Sequence, residues 1–274
     1  MKKKSNKLWI VTVLALGICV ALVAGGYQYL KKRYPNVTNG LSNATKSITS
    51  STYNKIDVEE KELTDANLIK LEGMVENSSK ESTPLYSANK AINLVLNKDA
   101  SISKASNQLK VPKSFLQAIL LREISNINDL DSIADKAVEM YFDEVEKKGS
   151  SQKKADSSTG LGQIFAATAI ESHNELVSKG IINDNRIDAN DIATRKSIWY
   201  KLKDDDEYNI LAVAKALKAK ASYKGFASKL YQLDDSQKQS LFKAYNGSGT
   251  DAQKYGEVVL SYQKELSIYN DNHK

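Results

Sequence analysis

Apolar residues recur at intervals of three and four along most of the chain, and no stretch alternates with period two for long, which predicts an all-α fold. The strongest stripe follows Pro112, a residue suited to a first helical turn because its missing N–H is harmless there. Phe115, Ile119 and Glu123 recur every four residues with Leu116, Leu120 and Ile124 beside them, so Glu123 extends an apolar stripe and its carboxyl belongs at the margin of the core. Upstream, Ser87 is placed to cap a helix carrying Ala91, Ile92, Val95 and Leu96, and a second helix runs from about Ala100 to Leu109. Downstream, an amphipathic helix spans Asp129 to Gly149, a polar loop GSSQKKADSS follows, and the glycines of GLGQIFAATAI open a helix from about Gln163. Asp188–Tyr200, Asn209–Ala221, Asp234–Tyr245 and Tyr255–Tyr269 carry further helical patterns.

The N-terminal third is organised differently. Leu8 to Leu30 is an apolar run flanked by MKKKSNK and KKR, long enough at ~1.5 Å per residue to cross a ~30 Å hydrocarbon core. It predicts a transmembrane signal anchor over 8–30 with a basic cytoplasmic tail, 1–7, and the rest of the chain on the extracytoplasmic side. Cleavage after the small residues Ala24, Gly25 and Gly26 is the competing expectation, giving a secreted product. Residues 31–57, rich in Asn, Ser and Thr, predict a flexible spacer. Residues 58–82 hold a helix with Leu63, Leu68 and Leu71 and with Thr64 or Asp65 as its cap; it is either a stalk or a packing segment. Residues 83–274 form the main domain.

Charge and composition narrow the chemistry. The net charge of +6 is concentrated at the start, where residues 1–33 hold seven Lys/Arg and no acid; removing these from 39 leaves 32 bases against 33 acids, a net of −1. A nucleic-acid partner is therefore not expected. The single cysteine, Cys19, lies in the apolar run, and only His173 and His273 are present, so thiol, metal and Ser/His chemistry are poorly supported. Asn183 to Ile192 is acidic, but Arg186 interrupts it and a calcium loop's glycine turn is missing. Carboxylates remain, with no metal or cofactor called for. A carboxyl on an apolar stripe is desolvated, which disfavours its charged form and fits it to donate a proton. On spacing alone a helix-surface Glu beside Arg122 is the better account of Glu123.

The motifs add a resemblance. ISKASNQLKVPKSFLQAILLREIS, through Ile102, Ala105, Val111, Pro112, Ala118, Ile119 and Glu123, resembles the signature of soluble lytic transglycosylases and goose-type lysozymes. STGLGQI resembles that superfamily's Gly-Leu-Met-Gln loop with Gly162 in place of Met; EYNILAVAKAL, KAYNGSG and YGEVVLSYQKEL are similar to its later segments. The matches come in the right order over residues 102–266. The resemblance implies a lysozyme-like fold, with Glu123 as the catalytic acid acting on peptidoglycan glycan strands. It implies a sugar groove lined by Ser158, Gly160, Leu161, Gly162 and Gln163, with the Tyr245 hydroxyl close to Glu123 and Asn246 bracing the loop. Two departures stand out: Ile124 follows the glutamate where Ser is usual, Ser125 coming one place later, and the segment between Glu123 and Gly160 is long.

Two enzymatic routes stay open. A lytic transglycosylase uses Glu123 as acid and then base and closes a 1,6-anhydro ring; a hydrolytic muramidase needs a second carboxylate, for which Asp129, Asp131 and Asp156 are candidates. The alternative from another class is a non-catalytic wall-binding scaffold beside a secretion, conjugation or phage-related machine.

Overall fold

The computed structural model describes residues 59–79, 84–148 and 156–273. The expected basic tail, membrane span and spacer lie outside these residues, as does most of the polar loop before Asp156. Among the described residues there are ten α-helices and one short 3-10 turn, with a single isolated antiparallel bridge, so the chain is all-α. No helix among them is long and apolar enough to cross a membrane.

In chain order the helices are α1 (Ala66–Ser78), α2 (Ala88–Asn97), α3 (Asp99–Leu109), α4 (Lys113–Ile124), α5 (Asp129–Lys148), α6 (Ala166–Ser178), α7 (Ile192–Asp204), α8 (Asp206–Tyr223), α9 (Asp235–Asn246) and α10 (Thr250–Asn272). Their starts follow the caps. Asp65 accepts from the N–H groups of Asn67 and Leu68, Ser87 from Lys90, and Asp234 forms a reciprocal capping box with Gln237. The helix expected from Asp188 begins instead at Ile192, because Asp191 takes the N–H groups of Ala193 and Thr194, while Asp188 is turned back onto Asn190.

Two units are distinguished: residues 58–128 with 156–274, and residues 1–57 with 129–155. In the second, the described part is α5, which carries a Lys136–Glu139 ion pair one turn apart and an edge contact between the Tyr141 and Phe142 rings.

In the larger unit α4 is the centre. Nine of its twelve residues are buried, which is why its apolar pattern runs all round the helix rather than along one stripe. It packs against α2, α3, α8 and α10. Each fully buried Phe, Leu or Ile contributes about 1.5–3 kcal/mol, and Phe115, Leu116, Ile119, Leu120, Leu121 and Ile124 are all buried to 2% exposure or less. Phe115 meets Phe242 of α9 edge-on, with centroids 5.1 Å apart. Two polar pairs fix the register of α4 on α10: Asn270 Nδ2 donates to Gln117 Oε1 at 2.7 Å, and Gln263 Nε2 donates to Ser114 Oγ at 3.2 Å. Hydrogen-bonded polar groups inside an apolar interface specify one alignment where leucines alone would tolerate several.

α1, whose place as stalk or packing element the sequence left open, packs on α10 and α2. Leu68, Leu71 and Val75 are buried, and Lys70 pairs with Glu265 at 2.7 Å.

Candidate active site

Glu123 occupies the last turn of α4, half-buried, where the apolar helix reaches the edge of the core. Its carboxyl is held from α10: Tyr255 Oη donates to Glu123 Oε1 at 2.6 Å. Tyr255 stacks on Tyr245 of α9, the rings 6.3 Å apart and 18° from parallel. Burial, and after it the charge of Glu123, hold both phenol groups far above their ordinary range. Both therefore stay protonated and serve as donors. Tyr245 Oη donates to the carbonyl of Gly162 at 3.3 Å, which ties the tyrosine pair to the glycine loop.

The loop is a tight turn and does not open a helix. Thr159 and Ile164 exchange two backbone hydrogen bonds at 3.3 and 3.2 Å, Gly160 takes φ +70°, and Gln163 sits at φ +42°. A non-glycine residue in that region needs support. Gln163 receives it from its own side chain, whose Nε2 donates to Gly160 O at 2.9 Å, and from Ser158 Oγ, which donates to Gln163 Oε1 at 3.3 Å. The helix expected from Gln163 therefore starts at Ala166. Its first N–H groups, those of Ala166 and Ala167, are taken by the two oxygens of Asp156 at 3.0 and 2.8 Å. Asp156 is thus a helix cap reaching across ten residues, with both oxygens committed.

The bracing expected of Asn246 is supplied by Asn209. Fully buried on α8, Asn209 accepts from Gly162 N–H at 2.8 Å and donates to Thr159 O at 3.0 Å and Leu202 O at 2.9 Å. Asn246 is exposed at the end of α9. Both loop glycines are sterically required. A Cβ at Gly160 would lie 2.2 Å from both Asn209 Nδ2 and Leu202 O, and one at Gly162 would lie 2.1 Å from Val213 Cγ2. The same hypothetical atom at Gly162 is 3.6 Å from Leu120 Cδ2, one turn before Glu123, so the loop lies directly against the glutamate helix.

The structure therefore brings together Glu123, Tyr245 and the 158–163 loop. Leu161 contributes its side chain to the core, at 1% exposure, and Ser158 and Gln163 are half-buried. Ser125 is the C-cap of α4; its hydroxyl donates to Arg122 O at 3.0 Å. Tyr255 and Asn209 are members that sequence reasoning does not assign to the site, Asn209 entering it only through the EYNILAVAKAL resemblance. Their signals were present: Tyr255, Tyr262 and Tyr269 repeat every seven residues along α10, and Asn209 is an amide in an otherwise apolar helical face. No family model, no curated protein and no solved structure matches this chain.

Proposed function

We propose that this chain is a peptidoglycan-cleaving enzyme that breaks the β-1,4 bond between N-acetylmuramic acid and N-acetylglucosamine by the lytic transglycosylase route, with Glu123 as general acid and then base. The observation that carries the reading is the hydrogen bond from the buried Tyr255 to Glu123 at the end of an apolar helix, joined through Tyr245 to the constrained 160–163 loop. A fixed donor on one carboxyl oxygen sets the direction of the other, which favours a positioned proton transfer over a mobile surface charge.

In this mechanism the protonated Glu123 gives its proton to the glycosidic oxygen as the C1–O bond breaks. The resulting carboxylate then takes the proton of the muramyl C6 hydroxyl while O6 bonds to C1. The proton account closes on one carboxyl and no water is consumed. That single-carboxylate chemistry accords with Asp156, a candidate for the second group of a hydrolase, being occupied as a helix cap. The half-buried Tyr245 ring offers an apolar face suited to a sugar. The lysozyme-like fold and the signal anchor over residues 8–30, which would set the domain outside the membrane, belong to the same proposal.

The test is to incubate the full-length, detergent-solubilised chain and its Glu123→Gln variant with purified peptidoglycan and weigh the released fragments. Anhydro-muramyl products, lighter by one water than hydrolytic ones and absent with Glu123→Gln, are the expected result. Reducing ends would replace the transglycosylase by a muramidase, and no release by the wild type under conditions where it binds the wall would end the enzymatic reading.

A further inference from the structure

Two serines at the C-terminal end of α1 reach the residues on either side of Glu123. The Ser78 hydroxyl donates to Val75 O within its own helix at 3.0 Å, which leaves its lone pairs to accept. They meet Arg122 Nη1 at 3.3 Å and the hydroxyl of Tyr262. Ser79 Oγ donates to the backbone carbonyl of Ser125 at 3.3 Å. Arg122 immediately precedes Glu123, and Ser125 caps the helix two residues beyond it. Further along the chain, Leu85 N–H donates to Ile127 O at 2.8 Å, so contacts from residues 78, 79 and 85 reach the end of α4 and the three residues after it.

The same end of α4 is gripped from α10. Tyr255 and Tyr262 are seven residues apart on one helix face; the first holds Glu123, and the second meets both Arg122 and Ser78. Adjacent residues of α4 are thus tied to adjacent rungs of α10, and the second rung is closed by α1. Tyr262 is fully buried, so its hydroxyl has no water to fall back on if Ser78 is lost. α1 also lies before the stretch that carries the family resemblance, residues 102–266.

We infer that α1 is a positioning element for the Glu123 carboxyl, acting through Ser78, Arg122 and Tyr262. The inference rests on Glu123 being the reacting group. Loss of the Ser78 hydroxyl leaves Arg122 only the Ser78 carbonyl at 3.5 Å on α1 and cuts the tie between Tyr262 and α1, and the last turn of α4 and the Tyr255 rung then settle in a different arrangement.

The experiment uses the full-length chain with 13C-labelled glutamate carboxyls, the Glu123 resonance being assigned from its absence in Glu123→Gln. Ser78→Ala and Tyr262→Phe are expected to displace the Glu123 titration curve and to lower kcat about tenfold or more with KM within about twofold, since misplacement of a reacting group acts on the chemical step. Ser78→Thr, which keeps the hydroxyl, is expected to restore both. Lys70→Met, which loosens α1 far from its serine end, is expected to change neither. Tyr262→Phe keeps the buried ring and reads the hydroxyl alone should Ser78→Ala fail to fold. A Glu123 titration and a kcat that are unchanged in both folded variants overturn the inference, whatever the wild type does to peptidoglycan. If the wild type releases no fragments yet the titration moves in Ser78→Ala and returns in Ser78→Thr, the positioning role stands and only the proposed substrate is lost.

Discussion

Alanine at position 162 would carry a Cβ 2.1 Å from Val213 Cγ2 and 3.0 Å from Asn209 Oδ1, against a comfortable carbon–carbon separation of about 3.5–4.0 Å. Gly162 is not among the residues with positive φ, so space and not backbone conformation forbids the substitution. Neither neighbour yields easily: Val213 is completely buried, and Asn209 is held by three hydrogen bonds. Overpacking of this kind costs about 1–3 kcal/mol, and Gly162→Ala is expected at the upper end. Val213→Ala removes two buried methyl groups, about 1.6 kcal/mol of transfer free energy before any cavity cost. In the double variant the new Cβ enters the space those methyls leave, so the two losses should fall short of their sum by about 2 kcal/mol. The buried Trp199 is a built-in reporter, since its indole N–H donates to Ser157 O and Oγ at 3.3 and 3.2 Å, just before the loop. Urea unfolding followed by tryptophan fluorescence in a Trp9→Phe background measures the cycle. Additive losses, or a Gly162→Ala loss below about 0.5 kcal/mol, would show that the loop is not wedged against α8 as described.

Tyr255→Phe removes one hydroxyl and keeps the ring; a hydrogen bond to a charged group is worth about 1.5–3 kcal/mol, so the proposed glycan cleavage should fall about 10- to 100-fold in kcat, and urea unfolding should register a stability loss in the same range. Asn209→Leu is nearly isosteric but strands Gly162 N–H and Leu202 O, while Thr159 O keeps the Ile164 N–H; at about 1–3 kcal/mol for a buried unsatisfied group, a loss of at least about 2 kcal/mol is expected in chemical denaturation. Asp156→Ala should cost about 1–2 kcal/mol, as for other lost caps, by the same measurement. Burial raises the Asp156 pKa against the lowering effects of its bonds to Ala167 and Ala166 and of Arg195. A folded value above the unfolded one gives a contribution that is full below the unfolded pKa and disappears as pH rises through the folded pKa. The stability of the wild type relative to Asp156→Asn should therefore decrease as pH rises from the ordinary carboxylate pKa of about 3.9 through the raised folded value, and a difference that grows with pH would contradict the assigned burial effect.

Helix positions were legible because period, caps and proline agree locally: Ser87, Asp65 and Pro112 mark starts within a residue or two of where the helices begin. The errors lie where a distant group decides. The glycines after Thr159 read as a helix start, but Asp156 and the Thr159–Ile164 bridge postpone α6 to Ala166. The site was legible only in part for the same reason. Glu123 stands out on its own helix, whereas choosing among fourteen tyrosines for its partner requires knowing how α10 lies on α4, and that is set by the Gln117–Asn270 and Ser114–Gln263 pairs across about 150 residues of sequence. The brace was not legible because the resemblance points to Asn246, while the burial that makes Asn209 the brace is a property of the packed helix.

The hydrogen bond between Tyr255 and Glu123 joins residues 132 positions apart. A ribosome adding about 5–20 residues per second needs on the order of 10 s to travel that distance. Throughout that interval α4 exists without α10, with a carboxyl that has no phenol to hold it and an apolar surface that α10 has yet to cover. The order of synthesis thus makes assembly of the candidate site a late event, and it makes α4 the segment most in need of protection while the chain is still being made.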